Sequence, residues 1–364
     1  MARTTPRWPA GSGTLAAVVV ASSALLLAFA PARRTAVAAP SAALAAPIPD
    51  RVPPGVVLRV GDPVTRWVFE HNGWDKQLPF RIQWAEITGG PDVTEAFHAG
   101  VLEVGFGASV PPIHAVWAGI PVRIIAFREY ADRTRRHAWV FGIAPKAGIH
   151  TLAGLRGKRI AFSPSQVQGQ IVIDTLKAAG IPRDQVTLVE LPSSIGGDVY
   201  TNALASGAID AAPIRNDLVA QRYVRDYGAR GAHILQHAPF RDDGGNIYVP
   251  EKVLADPGKA AALRIFIQYW GRGQAWINTH TEALARGYYA GKRGLPLADA
   301  RVLANYTANV AIPDKWDGAI AYEQAAIDTL APETKRPRLD AATLFDRRFE
   351  GIAGAAAAAK GIAP

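Results

Sequence analysis

From residue 56 onward, short apolar runs alternate with longer amphipathic stretches, a pattern that predicts βαβ units built on largely parallel sheets. Residues 57–60 read as a first strand, followed by the turn Gly61-Asp62-Pro63 and an amphipathic helix through Trp67 and Phe69. A second strand over 80–86 ends at Thr88-Gly89-Gly90-Pro91, where Pro91 and Asp92 start a helix that Gly100 stops. A third strand over 102–106, a helix over 111–118 and a fourth strand over 122–127 complete the first set. Residues 128–137 are polar, and the apolar run 138–143 reads as a crossover into a second, similar set. That set has strands at 160–162, 186–191 and 209–212, with helices over 168–179 and 196–205 and another after Arg215. A strand at 234–236, the turn Asp242-Asp243-Gly244-Gly245 and the extended stretch 246–249 read as the return crossing. Beyond Pro250 the pattern is helical, with Leu263, Phe266, Ile267 and Trp270 spaced for one buried face.

This order predicts an α/β protein of two Rossmann-like lobes joined by two crossover strands, with a helical C-terminal part. Residues 1–38 are expected to be a signal peptide, 39–137 the first part of lobe 1 and 138–240 lobe 2. Residues 241–350 return to lobe 1, and the Ala-rich stretch 351–364 is expected to be a flexible tail. The export reading rests on Arg3 and Arg7 ahead of the apolar run 15–30, then on the small-residue sites Ala36-Val37-Ala38 and Ala43-Leu44-Ala45. That run is shorter than the about 20 apolar residues of a membrane span. Arg33-Arg34 follows the run instead of preceding it, which favours general secretion over twin-arginine export. A periplasmic or extracellular location is expected.

Composition narrows the chemistry. With no cysteine there are no disulfides, thiolate metal sites, cysteine nucleophiles or lipid-bearing N-terminal cysteine. The formal net charge is +9, and four of the arginines fall in the export segment. The remaining basic residues are interspersed with acids, so no nucleic-acid partner is expected, and Arg133, Arg135 and Arg136 read as a solvated loop. The modest positive field favours anionic solutes. Catalytic signatures such as G-x-S-x-G, Walker A, G-x-G-x-x-G and H-E-x-x-H are absent from the sequence. The chain therefore reads as a binding protein, not an enzyme, with neither cofactor nor metal expected. His233 and His237, the only close histidine pair, straddle a strand end, and Asp242 and Asp243 near Asn246 read as a polar turn.

Ligands of open α/β sheets bind beyond the carboxyl ends of the strands, where backbone N–H groups and helix N-termini are available. Those loops carry Thr65, Thr88, Gly89, Gly90, Ala108 and Ser109 in the first set. In the second they carry Ser163, Ser165, Gln166, Gln168, Ser193 and Arg215. Each has a plainer reading: Gly89-Gly90 as a turn, Ser109 and Ser193 as helix caps, Arg215 as the partner of Asp217 or Asp210. All of them nevertheless fall on one edge of their sheets. Trp67, Trp74, Trp84, Trp117 and Trp139 read mainly as core fillers, with one or two available to line a cleft.

Several stretches recur in the order found in a known family. They are Thr88-Gly89-Gly90-Pro91 leading to Glu95-Ala96-Phe97-His98-Ala99-Gly100, then Val104-Gly105-Phe106-Gly107-Ala108-Ser109-Val110-Pro111-Pro112, then Leu155-Arg156-Gly157-Lys158-Arg159-Ile160-Ala161. Asn202-Ala203-Leu204-Ala205-Ser206-Gly207-Ala208-Ile209-Asp210-Ala211 follows, and then Gln274-Ala275-Trp276-Ile277. Across residues 55–280 the chain thereby resembles the sulfonate-, nitrate- and taurine-binding proteins of ABC transporters. The resemblance implies the periplasmic binding protein type 2 fold, closure about a small anionic organic solute such as a sulfonate, and a monomer that delivers it to a membrane permease. It also implies that the loops at 88–90, 107–109, 163–168 and 210–215 contact the ligand. The chain departs from the family at Ala108-Ser109-Val110, where relatives carry an acid, and at Ala212-Pro213-Ile214-Arg215, where they carry Trp-x-x-Trp. Two alternatives share the architecture: an exported sensor that docks on a receptor, and an enzyme like the thiamine-pyrimidine precursor synthase, whose cysteine-rich iron site this chain lacks.

Overall fold

The computed structural model describes residues 42–132, 137–192 and 198–359. The expected signal peptide, the Arg133-Arg135-Arg136 patch and Ser193 lie outside the described residues. After a short helix α1 (Ala42–Ala45), the first layer is built from β1 (Val57–Gly61), α2 (Pro63–His71), β2 (Arg81–Trp84), α3 (Gly90–His98), β3 (Val104–Gly107), α4 (Val110–Trp117) and β4 (Val122–Tyr130). The chain then crosses into β5 (Trp139–Ile143), β6 (Arg159–Phe162), α5 (Val167–Ala178), β7 (Thr187–Glu190), α6 (Asp198–Ser206), β8 (Ala211–Arg215), α7 (Leu218–Tyr227) and β9 (His233–Leu235). It returns through β10 (Gly245–Pro250) to α8 (Glu251–Leu254), α9 (Pro257–Thr279), α10 (Thr281–Leu284), a π-helix (Ala285–Lys292), α11 (Leu297–Thr307), β11 (Val310–Ala311), α12 (Asp317–Glu333) and α13 (Ile352–Ala358).

Two sheets result. The six-stranded one has the order β11-β4-β10-β3-β1-β2 and the five-stranded one β7-β6-β8-β5-β9. β2, β1 and β3 run parallel, while β10 runs antiparallel between β3 and β4. In the second sheet β7, β6 and β8 are parallel and β5 is antiparallel to both β8 and β9. The returning strand β10 is buried along its whole length because it is a central strand, lying between β3 and β4.

Helix starts follow the sequence signals. Asp62 caps α2, its carboxylate accepting from Thr65 N at 3.1 Å, and Pro63 opens the helix. Asp256 caps α9 in the same way, accepting from Gly258 N and Lys259 N. The predicted face of α9 is real: Leu263, Phe266, Ile267 and Trp270 are all fully buried in the main hydrophobic core.

Three expectations change. The fourth strand does not end at residue 127 but continues through Arg128, Glu129 and Tyr130, because β10 pairs along one side of it and β11 along the other. Arg215 is the last residue of β8, not a residue beyond it. The tail expected to be flexible forms α13 over Ile352–Ala358, which lies against α9. Gly271 permits that approach, since a Cβ there would sit 2.2 Å from the Ala353 carbonyl oxygen.

Candidate ligand-binding site

The carboxyl ends of the parallel strands in both sheets face one another across a cleft. One end of it is a cavity of about 560 Å³ lined from lobe 1 by Thr88, Gly89, Pro91 and Asp92, and from lobe 2 by Ser163–Gln166 and Glu190–Pro192. Five sequence candidates, Thr88, Gly89, Ser163, Ser165 and Gln166, therefore meet at one place. Gly90 lies just behind, buried against Pro111, where a Cβ would approach to 2.8 Å. Asp92 and Glu190 give this end an acidic rim.

The neighbouring candidates are engaged with the protein itself. Ser109 is fully buried, and its hydroxyl donates across the lobes to Gln170 Oε1 at 3.3 Å instead of capping α4. The Ser163 hydroxyl donates to Gln166 Oε1 at 2.8 Å, and Gln168 is buried in the first turn of α5. The Thr65 hydroxyl donates to Asp62 Oδ2 at 2.6 Å, so it completes the α2 cap. Ala108 offers its backbone: its carbonyl accepts from Asn246 Nδ2 at 3.2 Å.

That asparagine leads to a buried acid. Asn246 Nδ2 also donates to Glu323 Oε1 at 2.8 Å, and both Asn246 and Glu323 are fully buried. Burial, opposed only in part by the Asn246 hydrogen bond, pushes the Glu323 carboxyl up to about 8. The carboxyl is therefore neutral at pH 7, beneath the floor of the β3 loop.

Two arginines, from strands of the two different sheets, lie close enough for each other's charge to be felt. Arg215 closes β8 from lobe 2, and Arg128 projects from the end of β4 in lobe 1. Arg215 Nε donates to Asp217 Oδ2 at 2.6 Å, its guanidinium lies 5.9 Å from the Trp139 ring centroid, and its side chain is 39% exposed. The Asp217 pairing weighed from sequence is thus present, yet among the described residues it engages only Nε, leaving the two Nη groups without a hydrogen bond. Burial works against the Arg215 charge, but Asp217 outweighs it and raises the guanidinium above its ordinary value.

Arg128 is the residue that sequence reasoning missed. Its guanidinium lies 4.6 Å over the Phe106 ring, and its Nη1 donates to Gln274 Oε1 at 2.6 Å. Gly245 leaves room for it, since a Cβ there would come within 3.2 Å of Arg128 Nε. No carboxylate hydrogen-bonds to Arg128 among the described residues, and burial lowers its pKa, with nearby Arg215 adding to the effect against Asp62 and two tyrosines. Those tyrosines, Tyr130 and Tyr289, act on both arginines. Tyr289 comes from the π-helix and shares a 2.6 Å hydrogen bond with Thr307. Two guanidiniums from opposite lobes, one of them lacking a carboxylate partner, are an arrangement that an anion between them would stabilise. The signal available in the sequence was position: Arg128 follows Phe127 at a strand's carboxyl end, where ligand residues of such sheets lie.

The structure also links the lobes at their margins. Arg222 on α7 pairs with Asp299 on α11 at 2.7 Å, and Thr329 on α12 donates to Asp174 on α5 at 2.6 Å. Among the described residues no helix is long and apolar enough to cross a membrane.

Known proteins bear on this geometry. Residues 71–238 match the family described as NMT1/THI5 like. A curated relative from Escherichia coli (strain K12), named as an aliphatic sulfonates-binding protein, is 24% identical over 200 residues. That match covers 53% of this chain and 61% of the relative, so less than two thirds of the relative's length is matched. The alkanesulfonate-binding protein SsuA from Xanthomonas axonopodis pv. citri, solved bound to MOPS, superposes with a TM-score of 0.65 at 19% identity, covering 80% of this chain and 99% of that one. The periplasmic aliphatic sulphonate binding protein SsuA from Escherichia coli gives 0.64 at 20% identity, covering 79% and 91%. The fold is not confined to transport, since the desulfurization enzyme DSZB superposes with a TM-score of 0.53 at 14% identity over 81% of this chain and 98% of its own. The resemblance carried by the sequence motifs is thereby borne out as similarity: residues 71–238 match the NMT1/THI5-like model, and the chain has the two-lobed fold of these periplasmic binding proteins.

Proposed function

We propose that this chain is an exported, monomeric solute-binding protein that captures a small organic anion of the sulfonate class between its lobes and delivers it to an ABC permease. The observation that carries this reading is the pair Arg128 and Arg215, brought from opposite lobes to the same stretch of cleft with hydrogen-bonding capacity unspent. The anionic head lies between the guanidiniums, with Phe106 and Trp139 beside them to contact an apolar part. Thr88, Gly89, Ser163, Ser165 and Gln166 line the cavity between the lobes, and a longer ligand would extend toward it. Closure occurs about the two crossings that join the lobes, the second of them at residues 238–246, and the permease reads the closed form. The relatives' binding of alkanesulfonates supports the solute class, and the absence of cysteine and of a catalytic constellation supports binding over catalysis. A thermal-shift screen with alkyl and aryl sulfonates, nitrate, taurine, carboxylates and pyrimidines tests it, because a ligand bound to the folded state raises Tm by mass action. A rise with sulfonates is expected; no response to any anion, with a response to a neutral pyrimidine, would overturn the anionic reading.

A further inference from the structure

Outside the cleft, where the chain passes twice between the two sheets, three side chains converge. His137 precedes β5 on the first crossing, and His237 and Asp242 lie between β9 and β10 on the second. One ligand atom from each lies within 4.8 Å of the others, and the two imidazole centroids are 4.5 Å apart. The sequence did not announce the group, because its spacing is long-range; His233, the neighbour weighed there, instead stacks on His150 at 5.4 Å.

The chemistry of His237 singles the cluster out. Its Nδ1 faces the Ala238 carbonyl oxygen, which can only accept, so Nδ1 carries a proton. Its Nε2 faces Asp242 Oδ2 at 2.9 Å. A neutral imidazole in that tautomer directs a lone pair at a carboxylate oxygen, and both residues are buried, at 4% and 5% exposure. Two acceptors held face to face away from water need a positive centre between them. A proton would satisfy the pair, but it gives no role to the third ligand atom, His137. A backbone carbonyl that fixes the tautomer of a ligating histidine is the usual outer support of a metal site. Asp242 Oδ2 is itself oriented by the Trp139 backbone N–H at 2.8 Å, and the His237 ring is held against Phe240 at 4.4 Å.

We propose that His137, His237 and Asp242 form a binding site for a divalent transition-metal ion of the zinc class, with water as fourth ligand. Tetrahedral bonds of about 2.0–2.1 Å separate ligand atoms by about 3.3 Å. The 2.9 Å pair is already near that separation, and half-buried His137 closes the rest by side-chain rotation. The ion ties the first crossing to the second and, through Asp242 and Trp139, abuts the Arg215 end of the cleft. The site does not depend on the identity of the cleft ligand.

The test titrates the chelator-stripped chain with zinc chloride by calorimetry and with cobalt chloride by visible absorption. One zinc ion per chain and the intense visible bands of tetrahedral cobalt are expected. His137→Ala, at a half-buried position, retains the fold by circular dichroism and lowers zinc affinity by at least about tenfold. Asp242→Asn, which keeps an oxygen for Trp139 N–H, does the same. No zinc binding by the wild-type chain would overturn the proposal, as would binding that both variants retain at full affinity, which would assign the ion to other surface histidines.

Discussion

Replacing Glu323 by Gln isolates the energetic consequence of placing an acid beneath the β3 loop. In the folded chain burial holds this carboxyl up at about 8, against an ordinary value of 4.5. Between those two values the unfolded chain has released a proton that the folded chain retains, so stability falls as pH rises through that window. Below 4.5 both states are protonated and the group contributes no slope; above about 8 both are ionised and the loss is complete. Each unit of separation corresponds to about 1.4 kcal/mol, so between pH 5 and pH 8 this one group removes about 3 kcal/mol. Gln keeps the oxygen that accepts from Asn246 and cannot ionise. Urea unfolding at pH 5 and at pH 8 therefore gives a variant that gains on wild type by about 3 kcal/mol between the two conditions. A difference between the two proteins that stays constant over that range would show that Glu323 is ionised in the fold, and the account of its environment would fail.

Other consequences concern the cleft and its frame. Arg215→Ala lowers the affinity for an alkanesulfonate by about tenfold or more, the loss expected for one charge-assisted hydrogen bond, and calorimetry showing unaltered affinity would remove Arg215 from the site. Gly271→Ala drives a methyl into the Ala353 carbonyl, so α13 must shift; the urea midpoint falls by the equivalent of about 1–3 kcal/mol, and an unchanged midpoint would contradict the close packing of these helices. Arg222→Ala breaks a partly exposed ion pair with Asp299 and shifts stability by no more than about 1 kcal/mol, as followed by thermal unfolding; a larger loss would mean that this link carries the lobe contact. Small-angle scattering shows a smaller radius of gyration at ligand saturation, and an unchanged radius would sink closure about the two crossings.

Local pattern made much of this fold legible. The buried face of α9 obeys the helical period, β1 alternates around Leu58 and Val60, and Asp62 and Pro63 mark the start of α2 in the usual way. The family motifs carried the bilobal architecture. What escaped depends on partners far along the chain. Arg128, Glu129 and Tyr130 look like the start of a polar loop until β10 and the two-residue β11 pair with them. His137 has no visible relation to Asp242 until two crossings bring them together. The Ala-rich end looked too featureless to pack, yet small side chains are what allow α13 to approach Gly271. Among site candidates, position at the sheet edge was legible for Thr88, Gly89, Ser163, Ser165 and Gln166. Whether a hydroxyl is free for a ligand was not, because Thr65 and Ser109 are already engaged with Asp62 and Gln170.

The claim at the centre of this account is that an anion is held between Arg128 and Arg215. Calorimetric titration of an alkanesulfonate, and of the alcohol with the same carbon chain, into wild type and an Arg128→Gln, Arg215→Gln double variant tests it most directly. The account predicts one sulfonate per wild-type chain, no measurable binding of the alcohol, and at least about a hundredfold weaker sulfonate binding in the folded double variant. Equal sulfonate affinity in wild type and double variant would contradict it.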